Sequence, residues 1–325
     1  MPTPRTFRAD RGDDRERIDR ALQRHLADRP DVTRSRIQGW IGEGLVRVNG
    51  VPAVKPASRL MTGDLVEVEL PPLPERRAAV AQEMPLSVLF EDDHLMAIDK
   101  PPGLVVHPTI GHREGTLINA LLWHARDWGE GRRPGLVNRL DRGTSGVLLV
   151  AKTPAVHAAL ARSLRRRDAG KEYLAVVYGA VPFEQGRIER KILRDPADRK
   201  RMTTSKTEGR VSVTLYERLA DGSGLTLLRC RLLTGRTHQI RVHLQSQGWP
   251  IVGDPVYGEP RWKGIAESEL AALCRDFPRQ ALHAFRLTFV HPATGAPLEI
   301  TAPVPEDLGG LLAAAGLTDR PAERR

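Results

Sequence analysis

Cysteine is almost absent: the 325 residues include two, Cys230 and Cys274, far apart in the chain. Two isolated thiols match neither a disulfide framework nor a Cys-x-x-Cys metal spacing, so a disulfide-stapled scaffold is excluded. They read as reduced, structural thiols. No apolar run approaches the length of a membrane span. The N-terminal stretch MPTPRTFRADRGDDRERID lacks the apolar core of a signal peptide, so a cytoplasmic protein with no membrane partner is expected. There is no Walker A loop and no G-x-G-x-x-G fingerprint to seat a nucleotide cofactor. The ten histidines stand without carboxylate or thiolate clusters, and His238 and His243 lack the spacing and the Glu of H-E-x-x-H. Gly143-Thr144-Ser145-Gly146 lacks the G-x-S-x-G spacing of a nucleophile elbow, which weakens a hydrolase reading. Neither metal nor cofactor is expected.

Basic residues, by contrast, are abundant. Fifty Lys and Arg against forty Asp and Glu give a net charge of +10, which favours a polyanionic partner. An Arg-rich genome would colour every surface alike, so the placement of the charges matters more than their total. With 40% hydrophobic and 28% charged residues, the chain has the composition of a soluble globular protein, and its length suits a small module plus a larger core.

Residues 1–14 are polar and read as a flexible arm. Ile18, Ala21, Leu22 and Leu26 then recur at helical spacing until Arg29-Pro30-Asp31. Thr33 can cap a second helix whose apolar face is Ile37, Trp40 and Ile41, ended by Gly44. A strand follows, then the tight-turn pair Asn49-Gly50. A second strand, Leu65 to Leu70, alternates Val66, Val68 and Leu70 with Glu67 and Glu69. The prolines and basic pair of 71–85 form a stiff linker. From residue 86 to 307 short strands dominate: around Leu89, then 94–99, 135–140, 147–151, 172–178, 210–219, 225–234, 281–290 and 297–301. Helices are expected from Thr116, from Thr153-Pro154 and over 237–246. The fold class is α+β, a small module followed by a core on a large, mostly antiparallel mixed sheet with flanking helices. An Ala- and Arg-rich tail closes the chain at 308–325.

Two stretches carry most of the functional signal. Arg34 and Arg36 sit at the start of the second helix, where backbone N–H groups and guanidinium forks both suit phosphate. The second stretch is GLVNRLDRGTSGVLLVAK, residues 135–152, an apolar strand that runs into a charged, Gly-flanked turn and leaves as another strand. Loops held between rigid strands commonly present binding and catalytic groups. In an extended stretch Arg139 and Asp141 would share a face while Leu140 anchors in the core. A carboxylate beside arginines stays ionised, ready for nucleophilic or base work.

Residues 15–70, with TRSRIQGWIGEGLVRVNG and TGDLVEVEL, resemble the S4 RNA-binding domain. That likeness implies a module reading structured RNA by shape and backbone. Residues 135–152 resemble the signature of the RluA-type RNA pseudouridine synthases. The resemblance extends to EDDHL and IDKPPGLVVHP near 91–108, KEYLAVVYG at 171–179, TGRTHQIRVH at 234–243 and GDPVYG at 253–258, all in family order. Asn138 departs from the pattern, standing where the family most often has His.

The resemblance implies an isomerase that detaches uracil from its ribose, turns it and rejoins it through C5, with no cofactor. Asp141 would be its catalytic aspartate. Attack on ribose C1′, removal of a ribose proton and addition to the base all stay open as its route. Arg241 is the first candidate for its ion partner and Arg236 the second. Tyr173 would stack on the uracil. The target base must leave the RNA helix, and Arg139 is a candidate for filling the vacated stack or binding a neighbouring phosphate. His238 and Arg236 would position RNA. The attached S4-like module favours large-subunit ribosomal RNA, bound by a monomer. Transfer RNA, or a non-catalytic role in ribosome assembly, are the rival readings.

Overall fold

The computed structural model describes residues 3–29, 32–71, 79–108, 113–165, 169–198 and 201–317. The chain divides into two compact units, Met1–Ala78 and Ala79–Arg325. Residues 72–78, about half of the expected linker, lie outside the described residues, as do Pro30 and Asp31.

The first unit contains β1 (Thr3–Arg8), α1 (Ile18–His25), α2 (Arg34–Gly42), β2 (Val46–Val48), β3 (Val51–Pro52) and β4 (Leu65–Leu70). The four strands form an antiparallel sheet in the order β1-β4-β2-β3. Ile18, Leu22, Ile37, Ile41, Val46 and Val66 are buried together, so the helical spacing of α1 and α2 and the alternation of β4 serve one core. The Thr33 hydroxyl accepts the Arg36 N–H and caps α2 as expected. Asn49 and Gly50 both have positive φ, as a tight hairpin turn demands.

The flexible arm expected over 1–14 needs correction. Thr3–Arg8 is a strand paired along β4, with Phe7 opposite Val66 and stacked on His25 at 3.8 Å between ring centroids. An edge strand with one solvated face carries few apolar residues, so its composition resembles that of an arm.

The second unit opens with the hairpin β5 (Ser87–Glu91) and β6 (Leu95–Lys100), then α3 (Leu117–His124), β7 (Gly135–Leu136) and β8 (Ser145–Ala151). Next come α4 (Pro154–Ser163), β9 (Gly170–Tyr178), β10 (Gln185–Arg194), β11 (Met202–Ser205), β12 (Arg210–Gly222) and β13 (Leu225–Leu232). The chain continues through α5 (Gln239–Ser246), α6 (Ser268–Asp276), β14 (Leu282–Val290), β15 (Pro297–Thr301) and α7 (Glu306–Ala314). These strands form an eleven-stranded sheet ordered β11-β10-β12-β13-β9-β14-β8-β6-β5, with β15 on β14 and β7 on β8. Among the described pairings only β8 with β14 is parallel, so the expected mostly antiparallel sheet is present.

The central strands are apolar on both faces. Along β6 and β8, Met96, Ile98, Leu148 and Val150 pack into one core with α3, α5, α6 and α7. Their alternating neighbours Leu95, Ala97, Val147 and Leu149 pack into a second core with Leu160 of α4. The tail expected from residue 308 is a further correction. Leu308, Leu311 and Leu312 of α7 are buried in the first core, which an Ala- and Gly-rich composition conceals. Residues 318–325 lie outside the described part.

The strand expected over 135–140 stops at Leu136. Beyond it the Asn138 side chain takes the place of backbone: its Oδ1 accepts the Leu149 N–H at 2.7 Å and its amide donates to the Val147 carbonyl at 3.2 Å. Arg139 and Asp141 therefore lie in a loop and not on one strand face. Asn138, the departure from the family pattern, spends both ends of its amide on β8.

Candidate active site

The second half of the loop 137–144 between β7 and β8 is held by buried polar side chains. Lys100, fully buried at the end of β6, donates its ammonium to the Arg142 carbonyl at 3.1 Å and to the Pro101 carbonyl at 2.6 Å. Arg279, 5% exposed, donates to the Gly143 carbonyl at 3.1 Å and pairs in bidentate fashion with Asp307 of α7. The Gln280 amide reaches the Thr144 hydroxyl, and Ser145 bonds the buried His283 ring. A side chain at Gly143 would collide with Gln280, and one at Gly146, whose φ is +107°, would collide with the Ala284 backbone. Close approach to backbone and a positive φ require glycine at 146, whereas at 143 the Gln280 side chain would have to move. Burial, with the charge of Arg279 adding, lowers the Lys100 ammonium to about 8 although Asp141 and Asp99 oppose the shift.

This support presents Asp141 to an open pocket of about 880 Å3. Arg241 projects from α5 and donates Nη1 to Asp141 Oδ2 at 2.8 Å. The same guanidinium is gripped on its other edge by Asp254, Nε to Oδ2 at 2.7 Å and Nη2 to Oδ1 at 2.8 Å. Burial alone would raise the Asp254 carboxyl, but Arg241 and the backbone N–H groups of Tyr257 and Val256 hold it below its usual value. Two carboxylates thus share one arginine, which cannot rotate away from Asp141 without abandoning a bidentate pair. Arg236, the alternative partner, lies exposed at the pocket rim, and its bond to Gln239 comes from its backbone N–H.

Tyr173 lies in the pocket wall on β9, 8% exposed, its phenol held protonated by burial with the charge of Asp141 adding. His238 has φ +56° at the N-terminus of α5, a conformation costly for a residue other than glycine. Its Nδ1 bonds the Tyr257 hydroxyl at 2.9 Å, which leaves Nε2 facing Asp141 Oδ2 at 3.9 Å. Burial lowers its tendency to protonate, with Arg241 and Arg139 adding to the shift, although the charges of Asp141 and Asp254 oppose it. Arg139 is exposed and reaches the Thr237 hydroxyl at 3.0 Å.

The model of RNA pseudouridylate synthase matches residues 94–246, which contain Asp141, Tyr173 and Arg241. A Xanthomonas campestris protein, "Ribosomal large subunit pseudouridine synthase D", is 45% identical over 287 residues, covering 88% of this chain and 85% of its own. The chain belongs to the RNA pseudouridylate synthase family. The Neisseria meningitidis serogroup A protein of the same name is 41% identical over 296 residues, 91% of this chain and 78% of its own. Among solved structures, the human RNA Pseudouridylate Synthase Domain Containing 1 superposes with a TM-score of 0.54 at 28% identity, covering 70% of this chain and 87% of that one.

Within this synthase the motif residues Asp141, Tyr173, His238, Arg139, Arg236 and Arg241 all line the one pocket. Arg34 and Arg36 lie in the other unit. There Arg34 pairs with Asp19 at 3.0 Å, and Asp19 is fully buried and also bound by Arg17 and Gln38. Arg36 lies over the Trp40 ring at 5.5 Å. Sequence reasoning gave no role to Asp254, Lys100, Arg279 or Asp307. GDPVYG and IDKPPG signal turns, but their partners, Arg241 and Arg142, stand 13 and 42 residues away in the chain. No local spacing announces such pairs.

Proposed function

We propose that this synthase isomerises uridines of large-subunit ribosomal RNA in the cytoplasm, with Asp141 as the residue that acts on the nucleotide. The ribosomal large-subunit names of its relatives support the substrate. The observation that carries the reading is the Asp141–Arg241–Asp254 array at an open pocket large enough to admit a nucleotide. A uridine drawn out of its helix places its ribose against Asp141 and its base along Tyr173. Arg241 keeps Asp141 ionised as bulk water leaves, which favours charge on the carboxylate whichever atom it attacks. The phenol of Tyr173 stays neutral and offers an aromatic face and a hydroxyl to the detached base. Arg139 at the rim occupies the stack that the base has left or meets a neighbouring phosphate, with Arg236 and His238 beside it.

The first unit is proposed as an S4-like RNA-binding module. Its two helices and small sheet, and the motifs of 15–70, support this reading. Arg36 belongs to its RNA face. Arg34 contributes the charge that its pairing with Asp19 leaves uncompensated. The experiment is to map pseudouridines in ribosomal and transfer RNA from cells lacking the protein, and again after it is restored. Sites that vanish and return in large-subunit RNA are expected. Loss only from transfer RNA would move the substrate assignment.

A further inference from the structure

The pocket extends beyond the groups just described. Besides Asp141 and Tyr173, its lining includes Leu136, His157, Leu164 of the α4 region, Arg165 and Lys171. Its volume of about 880 Å3 is near the top of the range for small-molecule sites, roughly 300–1,000 Å3. One uridine leaves much of it empty.

β9 sets the spacing between the two halves. Lys171 and Tyr173 are two residues apart, so they share a strand face with Cα atoms ~7 Å apart, about one nucleotide step. Glu172 between them points to the opposite face, where it pairs with Arg286 at 2.7 Å. The Lys171 ammonium donates to the Leu164 carbonyl at 2.9 Å, and among the described residues no carboxylate pairs with it. Burial lowers its affinity for the proton, as expected for a cation set into a wall without a counter-ion. Among the described residues Asp141 is the only acidic one in the pocket lining, and it is paired with Arg241. The His157 ring is committed to the Leu136 carbonyl at 3.0 Å and serves as wall.

We infer that Lys171 and Arg165 form a second subsite of this pocket, which takes an RNA phosphodiester adjoining the reacting uridine. The enzyme then grips a dinucleotide step, with base and ribose at Tyr173 and Asp141 and the neighbouring phosphate at Lys171. The inference rests on the proposed RNA chemistry of the pocket and adds the identity of the groups that hold its register. A phosphate would supply the missing anion while the Leu164 carbonyl keeps the ammonium in place.

The test uses the full-length protein and a synthetic RNA hairpin carrying a mapped target uridine. The hairpin is made unmodified and with single neutral methylphosphonate linkages immediately 5′ or 3′ of that uridine. Pseudouridine formation by wild type on the unmodified hairpin establishes the parent reading independently. Lys171→Met should raise the RNA concentration for half-maximal rate by about tenfold, leave the rate at saturating RNA within about twofold, and be rescued by Lys171→Arg. One of the two methylphosphonates should impose a similar loss on wild type and almost none on Lys171→Met. Should Lys171→Met fail to fold, Arg165→Gln at its exposed position is taken through the same RNAs, with a smaller loss that again vanishes on one linkage. An undiminished loss on all three RNAs, or a loss confined to the rate at saturation, would overturn the subsite.

Discussion

Arg241 sits between two carboxylates, yet their environments differ. Asp254 is fully buried and takes both edges of a bidentate pair, whereas Asp141 keeps about a quarter of its side chain open to the pocket. Removing the arginine strands one buried charge, a change that typically costs about 3–5 kcal/mol. Arg241→Met should therefore lower stability in denaturant titrations and abolish most turnover. Arg236→Met, at the rim, should weaken RNA capture and spare the rate at saturating RNA. Asp254→Asn should lower that saturating rate with little change in RNA affinity, because it frees Arg241 without touching the pocket surface. The Asp141–Arg241 pair was legible from the motifs only as one of two options. Asp254 was visible as a turn residue without a partner, since its geometry depends on how α5 docks. Lys100 adds a pH signature. Its folded value of about 8 lies below the ordinary 10.5, so the unfolded chain binds the extra proton between those limits. Stability from this group therefore rises with pH across that window. Lys100→Met should flatten the slope of unfolding free energy between about pH 8 and 9.5, whatever it does to the absolute value.

Elements whose apolar positions repeat cleanly were readable in advance, among them α1, α2, β4, β6, β8 and β14. Those missed have physical causes that differ from one element to the next. β10 reads QGRIERKILR, and only Ile188 and Ile192 are buried in it, separated on their face by Arg190, so charge masks the period of two. α7 reads EDLGGLLAA, where two glycines argue against a helix on propensity. Tertiary burial overrides that preference, because Leu308 and Leu311 are fully enclosed. Leu311→Ala should cost about 2–5 kcal/mol, measurable as a lowered denaturant midpoint. A cost below about 0.5 kcal/mol would mean that α7 is an appendage after all. Asp307 on the same helix also clamps Arg279 beneath the Asp141 loop, so α7 serves the site as well as the core.

The molecule as a whole keeps its cores within separate units, one buried set in 9–70 and the others in 95–317. Removing residues 1–78 should leave pseudouridine formation at saturating RNA and reduce capture at low RNA. The log–log salt slope should fall by about 0.7–0.9 per lost phosphate contact, and the modified sites should become less selective. An unchanged slope and site map would show that the first unit serves another partner. Acid should act on the second unit through His243 and His283, both fully buried and both lowered by burial to about 4 from 6.5. Below 6.5 the unfolded chain takes their protons first, so stability falls as pH drops toward 4, by roughly 3 kcal/mol for each. Urea titrations at stepped pH should find that slope, and His243→Gln should reduce it. The central claim is narrower than these. It assigns the chemistry to one carboxylate, and Asp141→Asn keeps size and hydrogen bonding while removing charge and basicity. The measurement is a single-turnover assay of purified wild type and Asp141→Asn on large-subunit ribosomal RNA, with pseudouridine mapped and RNA binding determined alongside. The account predicts a folded variant that binds RNA as wild type does and forms no pseudouridine, whereas turnover near the wild-type rate would contradict it.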